Sequence, residues 1–208
     1  MTPNMKALAR FGALLWLTAG FCVSGLAQPV AEKPMFDVGD KWQFSDVAAG
    51  GKTGSWSREI VEIPSAERLR VRFGNGKINE YDDAMNFIPE GAERALLLAK
   101  YPLKIGEEWA VGRKFANPHL EERGKARVVG NETITVPAGT FQCYRVEAQT
   151  SRTNKTYNET RNWVRWYCPD VKWIAKEIVE TRTYNPYNPA ATGTTQQTSE
   201  LVKFTPGK

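Results

Sequence analysis

The sequence predicts a mainly β protein, built as an antiparallel curved sheet or a partly open barrel with one or two short helices. Two observations lead to this class. Apolar and polar residues alternate along several segments, most clearly at 68–73, where Leu69, Val71 and Phe73 share one face and three arginines share the other. About ten such segments recur at spacings of roughly 8 to 12 residues, which favours a sandwich or barrel over alternating strands and helices.

In chain order, the predicted strands cover 41–47, 55–63, 68–73, 77–81, 108–115, 124–129, 133–136, 141–150, 160–168, 172–184 and 199–205. Asn75 and Gly76 both tolerate positive φ, so they predict a two-residue type I′ turn between the third and fourth strands. Pro137 and Gly139 predict a turn before the strand at 141–150. The stretch 185–197 contains two prolines and little to bury, and it predicts a mobile loop before the last strand.

One segment departs from the β pattern. Residues 89–100 are rich in Ala, Leu and Glu, which favour helix, and the segment stops before Pro102. We therefore predict a single short helix there. Its leucines would fill the core, an interpretation that we favour over a cap on the end of the sheet.

The first 27 residues have the pattern of a secretory signal peptide. Lys6 and Arg10 precede an apolar run over 11–23, and small residues lead to an expected cut after Ala27. A permanent transmembrane helix needs about 20 apolar residues, more than this run offers. We expect the processed protein to be periplasmic or secreted and not to be an integral membrane protein.

Lipidation of the chain is not expected, because Phe21 stands before Cys22 where lipoprotein processing needs a small residue. Residues 28–208 then form one β-rich exported domain, since a domain typically takes about 100 to 200 residues. Loss of Lys6 and Arg10 lowers the formal net charge from +5 to +3. Both signs are interspersed without a basic run, so nucleic acid is not an expected partner.

Two cysteines remain after processing, Cys143 and Cys168. In an oxidising compartment a disulfide between them is the favoured interpretation, and two buried reduced thiols are the alternative. The sequence has no CxxC redox motif. No metal site is expected, because His119 is the single histidine and no third ligand stands at a recognisable spacing.

No pattern in the sequence predicts catalytic residues or a cofactor. His119 lies in a loop-like stretch, and GxSxG, HExxH and P-loop motifs do not occur. Adjacent carboxylates occur at 82–83, 107–108 and 121–122, but neighbouring residues of a strand point to opposite faces. These pairs are better explained as solvated surface than as a converging acid and base.

An aromatic cluster gives the strongest indication of a binding site. Alternation places Trp163 and Tyr167 on one face of a strand and Trp166 and Cys168 on the other, so both faces carry bulky groups. One interpretation is an apolar cavity with Arg165 or Arg161 at its mouth to meet an anionic head group. The predicted lining residues are Tyr144, Trp163, Arg165, Trp166, Tyr167 and Trp173. The alternative, which we favour, is a core in which the disulfide packs against tryptophan.

Three stretches resemble bacterial exported proteins grouped around the domain of unknown function 3108. They are YPLKIGEEW at 101–109, VPAGTF at 136–141 and WYCPDVKWIAKE at 166–177, and the resemblance extends over 100–205. Lys172 stands where such proteins often have Gly. The resemblance implies a β-rich envelope domain, similar in outline to the curved half-barrels of periplasmic lipid and lipoprotein carriers, and it implies no catalytic residues.

These observations favour a non-enzymatic exported module that binds or carries a lipid or another apolar or amphipathic envelope molecule. Two alternatives stay open. One is a structural protein that engages another envelope protein, and the other is an enzyme that uses carboxylates to act on envelope glycan. The enzyme requires two carboxylates about 5 to 10 Å apart across a cleft.

The signal peptide yields a direct prediction. Protein recovered from the envelope of an expressing bacterium should begin at Gln28, because cleavage follows Ala27. Intact mass and amino-terminal sequencing measure this. A chain that retains Met1, or one that begins at a lipid-modified Cys22, would contradict it.

Overall fold

The computed structural model describes residues 30–90, 95–114, 121–153 and 158–208. The signal peptide predicted over 1–27 and His119 lie outside these residues. No helix in the described ranges is both long enough and apolar enough to span a membrane.

Strands make up most of the described chain. In order they are β1 (Val30–Ala31), β2 (Lys41–Ala48), β3 (Thr53–Ser65), β4 (Arg68–Phe73), β5 (Ile78–Asp82), β6 (Phe87–Ile88), β7 (Leu103–Lys104), β8 (Glu108–Lys114), β9 (Glu121–Val136), β10 (Gly139–Thr153), β11 (Asn158–Cys168), β12 (Trp173–Tyr184) and β13 (Gly193–Thr205). Two short 3-10 helices lie at Pro169–Val171 and Pro189–Ala191.

Eleven of these strands form one antiparallel sheet in the order β6-β5-β4-β3-β2-β13-β12-β11-β10-β9-β8, while β1 pairs separately with β7. We call β3 to β6 the N-terminal arm and β8 to β12 the C-terminal arm, with β2 and β13 between them. Because β6 and β8 are edges and do not pair, the sheet is not closed into a barrel. The predicted fold class, a curved antiparallel sheet with little helix, is confirmed.

Register shifts bend the strands. Shifts occur in β3 after Ile60, in β9 between Val128 and Gly130, at the β11–β12 pairing after Trp166 and in β13 after Leu201. A bulge bends its strand and increases the local twist. The two arms therefore curl toward each other, and their inner faces bury a shared core that includes Trp42, Phe44, Ile60, Val71, Val146 and Ile174.

The hairpin at 73–77 differs from the predicted two-residue turn. The amide of Gly76 donates to the carbonyl of Phe73 at 2.8 Å, the amide of Phe73 donates to the carbonyl of Lys77 at 2.8 Å, and Gly76 has a φ of 84°. Asn75 is not among the residues with positive φ. The connection is thus a three-residue turn that ends in a left-handed glycine, the other common hairpin geometry.

The predicted loop at 185–197 is shorter in the structure. Strand β13 begins at Gly193, which pairs with Thr183 of β12, so the connection occupies 185–192. The threonine and glutamine side chains of 194–197 are exposed, yet this segment extends the ladder, because backbone hydrogen bonds to β12 do not need an apolar side chain.

The helix predicted over 89–100 is wrong for residues 95–100, which contain no helix, and residues 91–94 are outside the described chain. This segment links edge strand β6 to the opposite edge at β8. Hydrogen bonds from Asn86 and Trp109 to the backbone of this segment replace those of a helix, so tertiary contacts override the helix propensity. Leu96 and Leu98 are buried in the core, as the favoured interpretation of the leucines requires.

Asn86 holds this crossing segment against the N-terminal arm. Its side-chain oxygen accepts from the Ala99 amide and its side-chain nitrogen donates to the Ala99 carbonyl, both at 2.8 Å. Farther along, the indole of Trp109 donates to the Leu97 carbonyl at 2.8 Å. Side chains from both ends of the sheet therefore satisfy backbone groups that a helix would have paired internally.

Lys172 has a left-handed backbone with a φ of 59°. Its ammonium lies 2.7 Å from Asp37 and 3.0 Å from the fully buried Asp40, which also accepts the Gly207 amide at 2.8 Å. Burial alone lowers the pKa of Lys172, but hydrogen bonds to the two carboxylates raise it above its ordinary value. This stabilising effect is complete below the unfolded-state pKa and is lost as pH rises through the folded-state pKa.

The cysteines form the expected disulfide. Tyr144 of β10 pairs with Tyr167 of β11, which places Cys143 beside Cys168 in the next row, and their Cα atoms are 4.2 Å apart. Both cysteines are buried. The bond therefore closes a loop of the β10–β11 meander with a sequence separation of 25 residues.

Replacement of Cys143 and Cys168 by Ala should lower the free energy of unfolding by about 3 kcal/mol, because the unfolded chain regains the freedom of this loop. Urea unfolding followed by tryptophan fluorescence measures the change. Wild-type protein under reductant is the matched control and should shift equally. A loss under about 0.5 kcal/mol would contradict the prediction.

Candidate binding site

A partly open cavity of about 710 Å³ lies between the two arms on the inner face of the sheet. Residues of both arms and of β13 line it, together with the crossing segment at 95–100. Its volume is within the range of about 300 to 1,000 Å³ typical of small-molecule sites. The curl of a single sheet thus creates a partly open cavity on its inner face.

The walls of the cavity are largely aromatic and aliphatic. Its aromatic lining residues are Trp56, Phe73, Tyr81, Phe87, Trp163 and Trp173. Its aliphatic and methionine lining residues include Met85, Leu96, Leu98, Ile174 and Val179.

Trp56 and Trp173 are fixed by packing behind the cavity wall. Trp56 stacks on Phe44 with ring centroids 3.9 Å apart, and Trp173 meets both rings edge-on at 6.1 Å and 5.8 Å. The indole of Trp56 also donates to Asp46 at 2.7 Å. These contacts pre-organise the aromatic wall, because edge-to-face and stacked pairs resist reorientation.

Charged groups also face this cavity: four arginines and one carboxylate line it among the described residues. Arg165 and Glu177 form a direct cross-strand ion pair in which both side chains are largely buried. Burial on its own lowers the pKa of Arg165, but Glu177 and the Tyr167 hydroxyl raise it, so the guanidinium stays charged. Glu177 therefore neutralises Arg165.

Arg161 is also paired, because its Nε lies 2.8 Å from a carboxylate oxygen of Glu159. Arg58 has a different environment. Its guanidinium lies 3.3 Å from the Phe73 ring centroid and 4.7 Å from that of Trp56, with no carboxylate of the described residues in ion-pair contact. Arg165 and Arg161 therefore have carboxylate partners, whereas Arg58 has none among the described residues.

Of the six predicted lining residues, Trp163, Arg165 and Trp173 line the cavity, while Tyr144, Trp166 and Tyr167 do not. Tyr167 packs edge-on against Tyr101 at 6.4 Å, and Tyr144 is its buried cross-strand neighbour. Trp166 lies on the opposite face of β11, as alternation indicates, where Arg145 and Lys176 are its partners on the two neighbouring strands.

Trp166 is nevertheless buried, because charged side chains of the outer face surround it. Its indole donates to Glu132, and the charged groups of Arg145 and Lys176 each lie 5.8 Å from its ring centroid. The aliphatic stems of such side chains can cover an aromatic ring while their charges stay in water. Both faces of the strand are thus covered, but only the inner one faces the cavity.

Sequence reasoning missed the N-terminal arm, which supplies Trp56, Arg58, Phe73 and Tyr81. Alternation in β3 does place Trp56, Arg58 and Ile60 on one face, and this signal was available. Nothing local in the sequence shows that this face meets β11 and β12 across the curled sheet.

The site offers little for metal or for acid–base chemistry. No group of three metal-ligating side chains occurs within the described parts of the chain. Glu177 is the one carboxylate among the described lining residues, and none of the adjacent carboxylates at 82–83, 107–108 and 121–122 lines the cavity. A pair of carboxylates facing each other across this cleft is therefore not available from those residues.

The DUF3108-like family matches residues 112–187 of the chain. The resemblance expected from the sequence is confirmed over this segment, which runs from β8 through β12 and supplies the C-terminal arm. No curated protein sequence is significantly similar to this chain.

Solved structures of similar shape include three bacterial proteins. A candidate lipoprotein from Parabacteroides distasonis is 16% identical, with 86% of this chain and 100% of that chain covered and a TM-score of 0.47. A candidate exported protein with a YmcC-like fold from Bacteroides fragilis is 16% identical, with coverage of 84% and 99% and a TM-score of 0.43. The hypothetical lipoprotein YmcC from Escherichia coli is 9% identical, with coverage of 80% and 85% and a TM-score of 0.44.

The buried ion pair leads to a stability prediction. Glu177→Gln should lower the free energy of unfolding by about 3 to 5 kcal/mol, because Arg165 would stay charged in the core without a counter-ion. Glu62→Gln is the matched control, since Glu62 pairs with Arg70 at side-chain exposures of 53% and 46% against 13% and 14% for Glu177 and Arg165. The control should change stability by about 0 to 1 kcal/mol. Equal losses in denaturant unfolding would contradict the prediction.

Proposed function

We propose that this chain is an exported, non-enzymatic binding protein of the carrier type, whose cavity holds an amphipathic molecule of the cell envelope. The observation that carries this proposal is the chemistry of one cavity, in which aromatic and aliphatic walls surround a few charged and polar groups. Such a lining suits a ligand with an apolar tail and a polar head, because burial of the tail drives binding and the polar groups fix orientation.

Export is supported by the N-terminal sequence, where a basic start precedes an apolar run and a small-residue cleavage pattern. The disulfide supports the same location, since such bonds persist outside the reducing cytoplasm. A protein in that compartment meets lipids and other amphipathic envelope components as its most abundant apolar molecules.

The test is a solvent extract of the full-length protein, processed and purified from the envelope of its own bacterium, analysed by mass spectrometry. We expect an amphipathic molecule at about one per protein. Re-addition of that molecule to stripped protein should raise the melting temperature, because a ligand at 100 times its Kd stabilises the folded state by about 2.7 kcal/mol.

Trp163 and Trp166 provide a matched pair of variants on one strand. Trp163→Ala should reduce recovery of the ligand several-fold, since Trp163 lines the cavity, whereas Trp166→Ala should retain it because Trp166 lies on the outer face. Both variants must be folded by circular dichroism. A clean extract from folded wild-type protein, with no stabilisation by added lipids, would overturn the carrier proposal and favour an interaction with another envelope protein.

A further inference from the structure

The geometry points to Arg58 as the group that binds the head of the ligand, and to an anion, a carboxylate or a phosphate monoester on an apolar tail, as its chemical class. We infer that the indole N–H of Trp173 donates to the same ligand. This inference rests on the proposed function, and it differs from the sequence-based interpretation, which placed Arg165 or Arg161 at the anionic head.

Ion pairing within the protein separates the arginines of the cavity. The charge of Arg165 is matched by Glu177 and that of Arg161 by Glu159, and Arg152 also has an interaction partner of its own. An incoming anion would have to compete with those carboxylates. Arg58 forms no ion pair with a described carboxylate, so its charge is available to a ligand.

Arg58 is held in one orientation by its surroundings. Its guanidinium lies over both the Phe73 and Trp56 rings, Nε donates to the Tyr81 hydroxyl at 3.3 Å, and Nη1 donates to the Ser57 carbonyl at 2.9 Å. No described acceptor takes a hydrogen bond from Nη2. A planar guanidinium fixed by stacking loses little entropy when it pairs with a carboxylate or phosphate.

Trp173 provides a second, independent observation. Its side chain is 5% exposed and lines the cavity, yet its Nε1 has no hydrogen-bond partner among the described residues. A buried donor without an acceptor is costly, and native structures seldom leave one without a reason. Trp173 lies next to Trp56, which is itself in contact with Arg58, so one ligand can reach both groups.

Tyr81 adds a third donor. Its hydroxyl oxygen accepts from Arg58, so its proton can be donated elsewhere. Burial raises the pKa of Tyr81, and Arg58 offsets only part of this effect, so the hydroxyl is protonated at neutral pH. Donors then surround the Arg58 end of the cavity, an arrangement that favours an anion over a cationic or zwitterionic head.

The test compares three ligands with the same ten-carbon tail, decyl phosphate, decanoate and decanol, each below its aggregation concentration, by calorimetric titration into stripped full-length protein at neutral pH. Inorganic phosphate alone is the fourth probe and distinguishes a free anion from a lipid head group. We expect both anionic amphiphiles to bind about 10-fold to 100-fold more tightly than decanol, and inorganic phosphate to bind far more weakly than decyl phosphate.

Arg58→Gln should remove the preference for the anionic amphiphiles and leave decanol binding within about two-fold, while Arg58→Lys should keep part of the preference. Arg70→Gln is the control, because Arg70 is an exposed arginine of β4 paired with Glu62 and outside the cavity, and it should change nothing. Trp173→Phe keeps an aromatic side chain and removes the N–H donor, so it should weaken several-fold the binding of all ligands whose head groups accept hydrogen bonds.

Each outcome has one meaning. Equal binding of decanol and the anions by wild-type protein, or an unchanged preference in folded Arg58→Gln, overturns the inference and leaves the carrier proposal intact. Failure of all three amphiphiles to bind folded protein overturns the carrier proposal itself. Binding of inorganic phosphate as tight as that of decyl phosphate also overturns the carrier proposal, since the apolar walls would then contribute nothing.

Discussion

The rest of the structure depends on one constraint, that a single antiparallel sheet must supply both sides of its own hydrophobic core. Most domains bury a sheet face against a second layer of helices or strands. Here the described chain offers no helical layer, so the sheet must curl until its inner face meets itself. The register shifts in β3, β9 and β13 bend the strands, and the segment at 95–100 fills the gap between the two unpaired edges.

The same curl explains why a cavity and a core coexist. Trp42, Phe44 and Ile60 pack without exposure, while Trp56 and Arg58, the cross-strand partners of Phe44 and Trp42, line open space. Some charged groups in that space have a partner of opposite charge within the protein, as in the Arg165–Glu177 pair. The Arg58 guanidinium has no carboxylate partner and the Trp173 indole has no acceptor among the described residues. These two groups are therefore the ones proposed to bind the ligand.

The sequence predicted the C-terminal arm well, because the features that define it are local. Alternation in 160–168, the turn at 137–139 and the two cysteines specify neighbouring antiparallel strands, and the meander brings Cys143 and Cys168 together as expected. Prediction failed at 95–100, where strong helix propensity gives way to tertiary hydrogen bonds from Asn86 and Trp109. The hairpin at 73–77 was placed correctly, but its turn type depends on where the ladder closes rather than on the Asn-Gly pair.

What the sequence determined by itself was the class of fold, the disulfide and the aromatic character of β11, because periodicity, turn residues and residue type act over short distances. Only the tertiary structure decided which aromatic and charged side chains share one cavity. The curl of the sheet brings Trp56 and Arg58 into the same cavity as Trp163 and Trp173. Alternation along β11 places Trp166 on the outer face, away from this cavity. Arg58, the arginine proposed to bind the head group, could not be singled out from sequence, because its availability depends on which other arginines find carboxylate partners in the fold.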